Sequence, residues 1–320
     1  MAKRFLVVGE LNADMIVSGL SDLPTVGREV IADDVRIVLG GSSGICAAGL
    51  ARLGATVDFA GKVGTGYFGD LLVKRFEDLG VGVDHVIRDR QASTGLTVSL
   101  SLPHDRALVT YLGCIPDLRL EDIDLNTLKR YCHLHVGSYF LQTELRPGLA
   151  KLFREARRNG LTISLDPGHD PSEEWGGSDL LELLERVDLF LPNEEEACAI
   201  AGASDAEEAL CGLARRARVV VVKCGSEGAI TLEDDRVIRV PGFRLRTVDT
   251  TGAGDSFDAG LIFAHLGLGE PLRDAMCFAN ACGALSTTGH GGTAAQATAQ
   301  EARSFLSEHR ESQECSGQGV

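Results

Sequence analysis

Asp249-Thr250-Thr251-Gly252-Ala253-Gly254-Asp255-Ser256-Phe257 is the stretch on which the reading of this chain turns. It follows an extended run, Arg246–Val248, and opens an Ala- and Gly-rich segment, Ala253–Leu266, with helical character. Gly252 and Gly254 have no Cβ, so the backbone there can approach a ligand closely and turn its N–H groups outward. The first N–H groups of a helix lack internal partners and carry the positive end of its dipole, which makes such a turn an anion site. Asp255 falls in the first turn, where a fixed carboxylate can take the proton of an attacking hydroxyl. Phosphoryl transfer asks mainly for position and charge stabilisation, so this small set suffices for it. An Asp in a first turn also caps helices that catalyse nothing. The nine residues together carry the inference, rather than Gly-x-Gly-Asp alone.

Working outward, short apolar strands alternate with helical segments. Phe5–Gly9 reads as a buried strand, followed after residue 112 by His133–Val136, Leu161–Leu165, Asp188–Leu191 and Val219–Val222. Between them lie the helical segments Glu144–Asn159, Ser178–Arg186, Glu194–Ala201 and Ala206–Ala217, and Leu272–Thr287 closes the series. Continuous apolar strands alternating with helices imply a parallel sheet covered on both faces. Two other segments differ. Val30–Leu39 is extended, and in Leu96–Leu102 apolar residues alternate strictly with Thr97, Ser99 and Ser101. Such alternation means one buried and one polar face. A turn at Pro103–Arg106 and a return strand at Ala107–Tyr111 complete a small antiparallel sheet set apart as a lid. The expected organisation is one α/β domain over residues 1–310, with lid segments at about 12–40 and 92–112 and a polar, disordered tail at 311–320.

The nine-residue string, with the Gly-rich helix after it, resembles the C-terminal signature of the ribokinase (PfkB) family of carbohydrate kinases. Further motifs resemble the family in order along nearly the whole chain. They are Gly40-Gly41 with Ala47 and Leu53-Gly54-Ala55, then Val63-Gly64 to Gly69-Asp70, Asn193 to Glu196 (Asn-x-x-Glu), and Gly225 to Gly228 (Gly-x-x-Gly). The resemblance implies a three-layer α/β sandwich with a mostly parallel central sheet and a small β-sheet lid. It implies ATP along the C-terminal half, held by Asn193, Lys223, Gly225, Gly228 and Asn280, and a sugar between sheet edge and lid. Asp255 is then the catalytic base, and Gly252, Ala253 and Gly254 form the anion hole. Glu196 organises Mg²⁺ through water, a mode that magnesium tolerates, although Asn193 and Glu196 also fit a plain helix-capping pair. Asp249, Thr251, Ser286, Gly289 and Gly291 fall where family members hold a monovalent cation such as K⁺. At the substrate end Asp14 matches the position that accepts from sugar hydroxyls, with Asn12, Gly41 and Ser42 beside it, and Gly137 to Gln142 reaches the same pocket. One departure stands out: Ile45 occupies the position where the family's sugar kinases commonly carry Asn. A less polar or differently oriented acceptor follows from that change. The family's lids often pair two copies into a dimer.

Composition narrows the function classes. The chain has 320 residues, with 31 Lys and Arg against 46 Asp and Glu, for a formal charge of −15. An acidic protein of this kind does not bind nucleic acid or anionic membranes non-specifically. No apolar stretch is long enough to span a bilayer. The start, Met1 to Phe5, runs into a strand rather than a signal peptide. Nine scattered cysteines without a C-x-x-C pair read as reduced thiols of a cytoplasmic protein rather than a zinc site. Gly64-Thr65-Gly66-Tyr67-Phe68-Gly69 fits the dinucleotide pattern G-x-G-x-x-G, but bulky Tyr67 and Phe68 fill the phosphate approach. Gly61-Lys62 is followed by Val63, so no P-loop is present. Three readings remain: a kinase of sugars or sugar acids, a nucleoside kinase on the same fold, and a sugar-binding regulator without catalysis. Phosphosugar acceptors need cations, for which the substrate end offers only Arg28 and Arg106.

Overall fold

The first strand, β1 (Arg4–Val8), shows how the layers arise. Leu6 and Val8 enter one apolar core, Phe5 and Val7 another, and all four are at most 2% exposed. A strand covered on both faces has no polar side, which is why it reads as an unbroken apolar run. The computed structural model describes residues 3–102 and 106–316, except the side chains of Arg106 and of residues 310–316. After β1 come β2 (Asn12–Ser18), β3 (Asp34–Gly40), α1 (Ser42–Arg52), β4 (Thr56–Gly64), α2 (Tyr67–Leu79) and β5 (Gly82–Asp89). The hairpin β6 (Leu96–Ser101) and β7 (Arg106–Tyr111) precedes β8 (His133–Val136), α3 (Arg146–Arg158), β9 (Thr162–Leu165), α4 (Gly177–Leu184) and β10 (Leu189–Phe190). Then follow α5 (Glu194–Ala201), α6 (Ala206–Leu213), β11 (Val221–Lys223), β12 (Ala229–Glu233), β13 (Arg236–Val240), α7 (Ala253–Leu261), α8 (Leu272–Ser286) and α9 (Ala299–Ser316).

The central sheet runs β10-β9-β8-β1-β4-β5, with every pairing parallel. Helices α3, α4, α5 and α6 cover one face, and α1, α2, α7, α8 and α9 the other. Parallel bridges Phe190–Val220 and Asn193–Lys223 carry the sheet on to β11, from which the antiparallel β12 and β13 extend it. The Gly-rich helices earn their composition by close packing. A Cβ on Gly260 of α7 would lie 3.0 Å from the Ala279 backbone of α8, and one on Gly283 of α8 would lie 3.0 Å from the Ala253 carbonyl.

The lid is a four-stranded sheet in the order β3-β2-β6-β7. It departs from the expected all-antiparallel form, because β2 and β6 pair in parallel from Ala13–Leu96 to Val17–Leu100. Each lid hairpin leaves the α/β body as an excursion in the same sense, so the two inner strands meet side by side. The first segment also forms its strand later than expected, at Asp34 rather than Val30. The expected turn at 103–105 and the tip of the tail, 317–320, lie outside the described residues. The helix α9 runs to Ser316, past the point where a disordered tail was expected. Glu308, Arg310, Glu311, Gln313 and Glu314 are good helix formers, and propensity carries the helix through a polar stretch with no apolar periodicity. Among the described residues no helix is long and apolar enough to cross a membrane.

Candidate active site

Ligands bind to open parallel sheets at the carboxyl ends of the strands, and there this chain gathers its polar side chains. Glu10 follows β1, Ser138 follows β8, Asp166 follows β9, Asn193 follows β10 and Lys223 ends β11. Two cavities meet at this rim. One, of about 800 Å³, lies under the lid and is bounded by Asn12, Asp14, Ile16, Thr97, Leu108 and Thr110 above and by Gly41, Ser42, Gly252 and Asp255 below. The other, of about 600 Å³, lies between the Gly225–Gly228 turn, the 242–247 loop and the faces of α7 and α8. Lys223, Gly225 and Gly254 line both.

Asp255 lines the lid cavity beside Gly254 of that junction. The α7 helix begins from Gly252, whose φ of +74° is reserved in practice for glycine. Among the described residues no carbonyl accepts the N–H of Gly254 or Asp255, so these donors face the cavities. The Ser42 hydroxyl donates to Asp255 Oδ1 at 2.6 Å, tying the base of α1 to α7. Burial, reinforced by the neighbouring Asp166, pushes the Asp255 carboxyl up to about 6. A carboxylate at that value is basic enough to take a proton yet ionised at neutral pH.

The remaining carboxylates are held by the frame. Glu10 is buried and accepts from the hydroxyls of Ser138 at 2.6 Å and Ser43 at 2.7 Å; burial outweighs these bonds and raises it. Ser138 adopts a left-handed φ of +48° to reach it, a strained conformation of the kind concentrated at functional sites. Asn12 Nδ2 donates to Asp14 Oδ1 at 2.8 Å, and a Cβ on Gly40 would collide with that carboxylate at 2.1 Å. Lys223 Nζ sits between Asp166 at 2.6 Å and Asp258 at 3.1 Å.

The profile of the pfkB family carbohydrate kinases matches residues 2–299. The chain belongs to this family. It is a carbohydrate kinase, an ATP-dependent phosphotransferase. It is 34% identical over 310 residues to an ATP-dependent ribose-1-phosphate kinase of Halopiger xanaduensis, covering 95% of this chain and 98% of that one. It is 30% identical over 284 residues to fructokinase-2 of Oryza sativa subsp. japonica, covering 84% of each. Among solved structures, the ATP- and Mg²⁺-bound putative ribokinase II of E. coli superposes with a TM-score of 0.85 at 25% identity, covering 97% of this chain and 100% of that one. A Vibrio cholerae fructokinase double mutant, with fructose, ADP and potassium bound, superposes with a TM-score of 0.80 at 25% identity, over 95% and 98% of the two chains.

In this pfkB kinase the motifs read from sequence converge, with distinctions. Asp14, Asn12, Gly41, Ser42, Gly252, Gly254 and Asp255 line the lid cavity, and Asn193 and Glu196 close its far end. Gly228, Ala253 and Asn280 line the second cavity. The Asn280 amide donates to the Val240 and Pro241 carbonyls at 3.0 Å each, so it shapes the wall. Asn193 and Glu196 form a reciprocal helix cap: Asn193 Oδ1 accepts from the Glu196 N–H and Glu196 Oε2 from the Asn193 N–H. That leaves Glu196 Oε1 for other work, and burial, then Asp166, raises this carboxyl to about 7. Asp249 accepts from the N–H groups of Thr251 and Gly291 and so fastens the two loops of the expected cation site together. Ser286 turns its hydroxyl inward to the Gly283 carbonyl at 2.8 Å.

Ile45 fills the space beside the Gly252–Gly254 turn, where a Cβ on Gly252 or Gly292 would meet it at 3.0 or 2.4 Å. From Gly137–Gln142, Ser138 and Leu141 reach the lid cavity, whereas Gln142 is fully buried. Arg28 is exposed, and the Arg106 side chain lies outside the described residues. Of the G-x-G-x-x-G glycines, Gly64 and Gly69 serve packing, since a Cβ on Gly69 would strike the Gly64 carbonyl at 1.9 Å and one on Gly64 the Ala92 carbonyl at 2.6 Å, whereas Gly66 faces open space. Sequence reasoning missed Asp166, Asp258 and the role of Glu10. Two signals were present: an acidic residue at the carboxyl end of a parallel strand, and an Asp one helical turn beyond Asp255.

Proposed function

We propose that this kinase moves the γ-phosphoryl group of ATP onto a hydroxyl, a primary one, of a small sugar or sugar acid, with Asp255 as general base. One observation carries the reading: the Ser42-held carboxylate of Asp255 faces the lid cavity next to Gly254, which lines both cavities, at the start of α7 where N–H groups lack carbonyl partners. The acceptor occupies the lid cavity, where Asp14 and Asn12 accept and donate to its hydroxyls. The second cavity fits a nucleotide. Phe243, Leu245 and Phe257 give an apolar slot, and the glycines at 225 and 254 leave room for phosphates against the backbone.

Bound Mg²⁺ supplies charge neutralisation of the phosphates. Among the described residues no cluster of three His, Cys, Asp or Glu could hold a metal directly. The fit is therefore to a magnesium that keeps its waters, with Glu196 and Asn193 holding them. Asp255 accepts the hydroxyl proton as the oxygen attacks, and the N–H groups of Gly254 and Asp255 stabilise the charge spread over the transferring group.

A nucleoside acceptor is the second reading. Ile16, Ile45, Leu108, Leu112, Ile115 and Leu141 give the lid cavity apolar walls that suit a base. The intact base and anion turn speak against a regulator without catalysis. A coupled ADP-release assay with ATP and Mg²⁺ across fructose, ribose, 2-keto-3-deoxygluconate, sugar phosphates and adenosine decides among them. Turnover on a sugar or sugar acid supports the first reading, turnover on adenosine alone the second, and silence with ATP bound overturns both. In the same assay Asp14→Ala is expected to raise KM for the acceptor by about tenfold, the scale of one charge-assisted hydrogen bond, with KM for ATP little changed. A larger effect on ATP would remove Asp14 from the acceptor site.

Two further proposals extend the site and the assembly. K⁺ is held by loop carbonyls around Asp249, Thr251, Ser286, Gly289 and Gly291, with Asp249 bracing both loops. Rates several-fold higher in K⁺ than in tetramethylammonium buffer are expected, and equal rates would reject the site. The lid also pairs with a second copy. β3 and β7 are its outer strands and expose Val35, Val109 and Tyr111, the edge-and-face combination that invites pairing. A monomeric mass in light scattering would exclude the dimer.

A further inference from the structure

The cluster of Lys223, Asp166 and Asp258 is unexplained by the steps above. The Asp166 and Asp258 side chains are buried, at 5% and 1% exposed, and that of Lys223 is mostly so, at 11%. Asp258 meets the ammonium with both oxygens, Oδ1 at 3.2 Å and Oδ2 at 3.1 Å, and Asp166 meets it with Oδ2 at 2.6 Å. Asp166 is itself fixed, since its Oδ1 accepts from the Gly168 N–H at 2.7 Å. Three elements thus converge on one nitrogen: the end of β9, the end of β11 and the buried face of α7.

An apolar core does not call for this arrangement. Phe257, Ala259 and Leu261 around Asp258 are core residues, and buried ion clusters can often be replaced by well-packed apolar groups of similar volume without loss of stability. The placement of the ammonium suggests its use. Lys223 lines both cavities, and its Nζ lies 3.6 Å from where a Cβ on Gly254 would stand. Of the Lys and Arg side chains described along the two cavities, the other is Arg244, which is exposed and paired with Glu227. An ammonium has three N–H groups; with one on Asp166 and one shared between the two Asp258 oxygens, the third is left for the seam.

We infer that Asp258 is a positioning residue: with Asp166 it holds the Lys223 ammonium at the seam of the two cavities, where Lys223 meets the terminal phosphoryl group of the nucleotide. This rests on the reading that the nucleotide occupies the second cavity. The charge balance agrees with it. Burial, only partly offset by Lys223, raises Asp258, while Lys223 and the hydrogen bond from Asp258 more than offset burial at Asp166 and lower it, so of the two carboxyls Asp258 is the one that favours its proton. Asp258 also sits three residues after Asp255, so α7 carries the base and the lysine's anchor one turn apart on one face.

The test is titration calorimetry with Mg²⁺ and two probes, ADP and β,γ-imido-ATP, on folded wild type, Asp258→Leu, Asp258→Ser and Asp258→Asn. Asn keeps an acceptor for Lys223 and a donor for Asp166, so it should bind both probes as wild type does. Leu and Ser should weaken β,γ-imido-ATP by about tenfold, the scale of one charge-assisted hydrogen bond, and leave ADP unchanged. The Ser variant removes the carboxyl without adding bulk, so a packing failure of the Leu variant does not decide the outcome. Equal weakening of both probes, or none, or a loss in Asp258→Asn as large as in Asp258→Ser, overturns the inference. Wild type that binds neither probe overturns instead the assignment of the second cavity to the nucleotide.

Discussion

Asp255→Asn is expected to lower kcat by at least about 10²-fold, the scale of a lost general base, while leaving the fold intact. Asn preserves the shape of the side chain and can still accept from Ser42, so nothing in the α1–α7 contact is removed. What disappears is the proton acceptor. The sign of the stability change follows from the raised carboxyl. A group whose folded value, about 6, lies above its ordinary 3.8 favours folding below the ordinary value and loses that contribution as the pH rises through 6. At pH 7 the ionised Asp255 therefore works against folding, and Asp255→Asn should melt no lower than wild type. The same shift sets the pH profile. The base acts only when ionised, so kcat/KM for the acceptor should fall away below about pH 6, well above the ordinary Asp range. Near-wild-type turnover of the variant would remove Asp255 from the role of base, whatever its position.

Gly252→Ala is expected to disrupt the site strongly for a single added methyl. The residue holds a left-handed φ of +74°, and a Cβ there would come within 2.6 Å of the Gly292 Cα, a backbone atom with no side-chain freedom to yield. Left-handed strain at a non-glycine residue costs about 1–3 kcal/mol, and crowding against backbone adds a term of similar size. The start of α7 must shift to relieve the clash, and a displacement near 1 Å costs about 10²-fold in rate. Urea denaturation and kcat measured together should both report the change. Wild-type values in both would mean that the anion turn is looser than its geometry indicates.

How far the sequence revealed this site depends on where each residue draws its constraint. The α5 helix was legible to the residue, Glu194–Ala201, because its ends are written locally: an Asn-x-x-Glu cap at one and Gly202 at the other. The start of α7 was legible because Gly252, Gly254 and Asp255 act through backbone geometry that a short string fully specifies. The lid was legible as a small sheet but not in its pairing, which was expected to be antiparallel throughout. Parallel pairing of β2 with β6 joins residues more than eighty positions apart, and no local pattern encodes it. Asp166 and Asp258 escaped for the same reason. Each looks like an ordinary acidic residue next to a strand or within a helix, and becomes informative only when folding places both on Lys223. Ile45 was noticed as a departure, but its contact with Gly252 and Gly292 arises from the packing of α1 against the loop after α8.

The central claim is transfer of a phosphoryl group to a sugar hydroxyl under the control of Asp255. The most direct measurement is phosphorus NMR of wild type and Asp255→Asn, each incubated with ATP, Mg²⁺ and the acceptor panel. Wild type should produce ADP together with an equal amount of a new sugar phosphomonoester, and Asp255→Asn should produce little of either. ADP accompanied by free inorganic phosphate and no ester, or the same ester formed at the same rate by the variant, would contradict it.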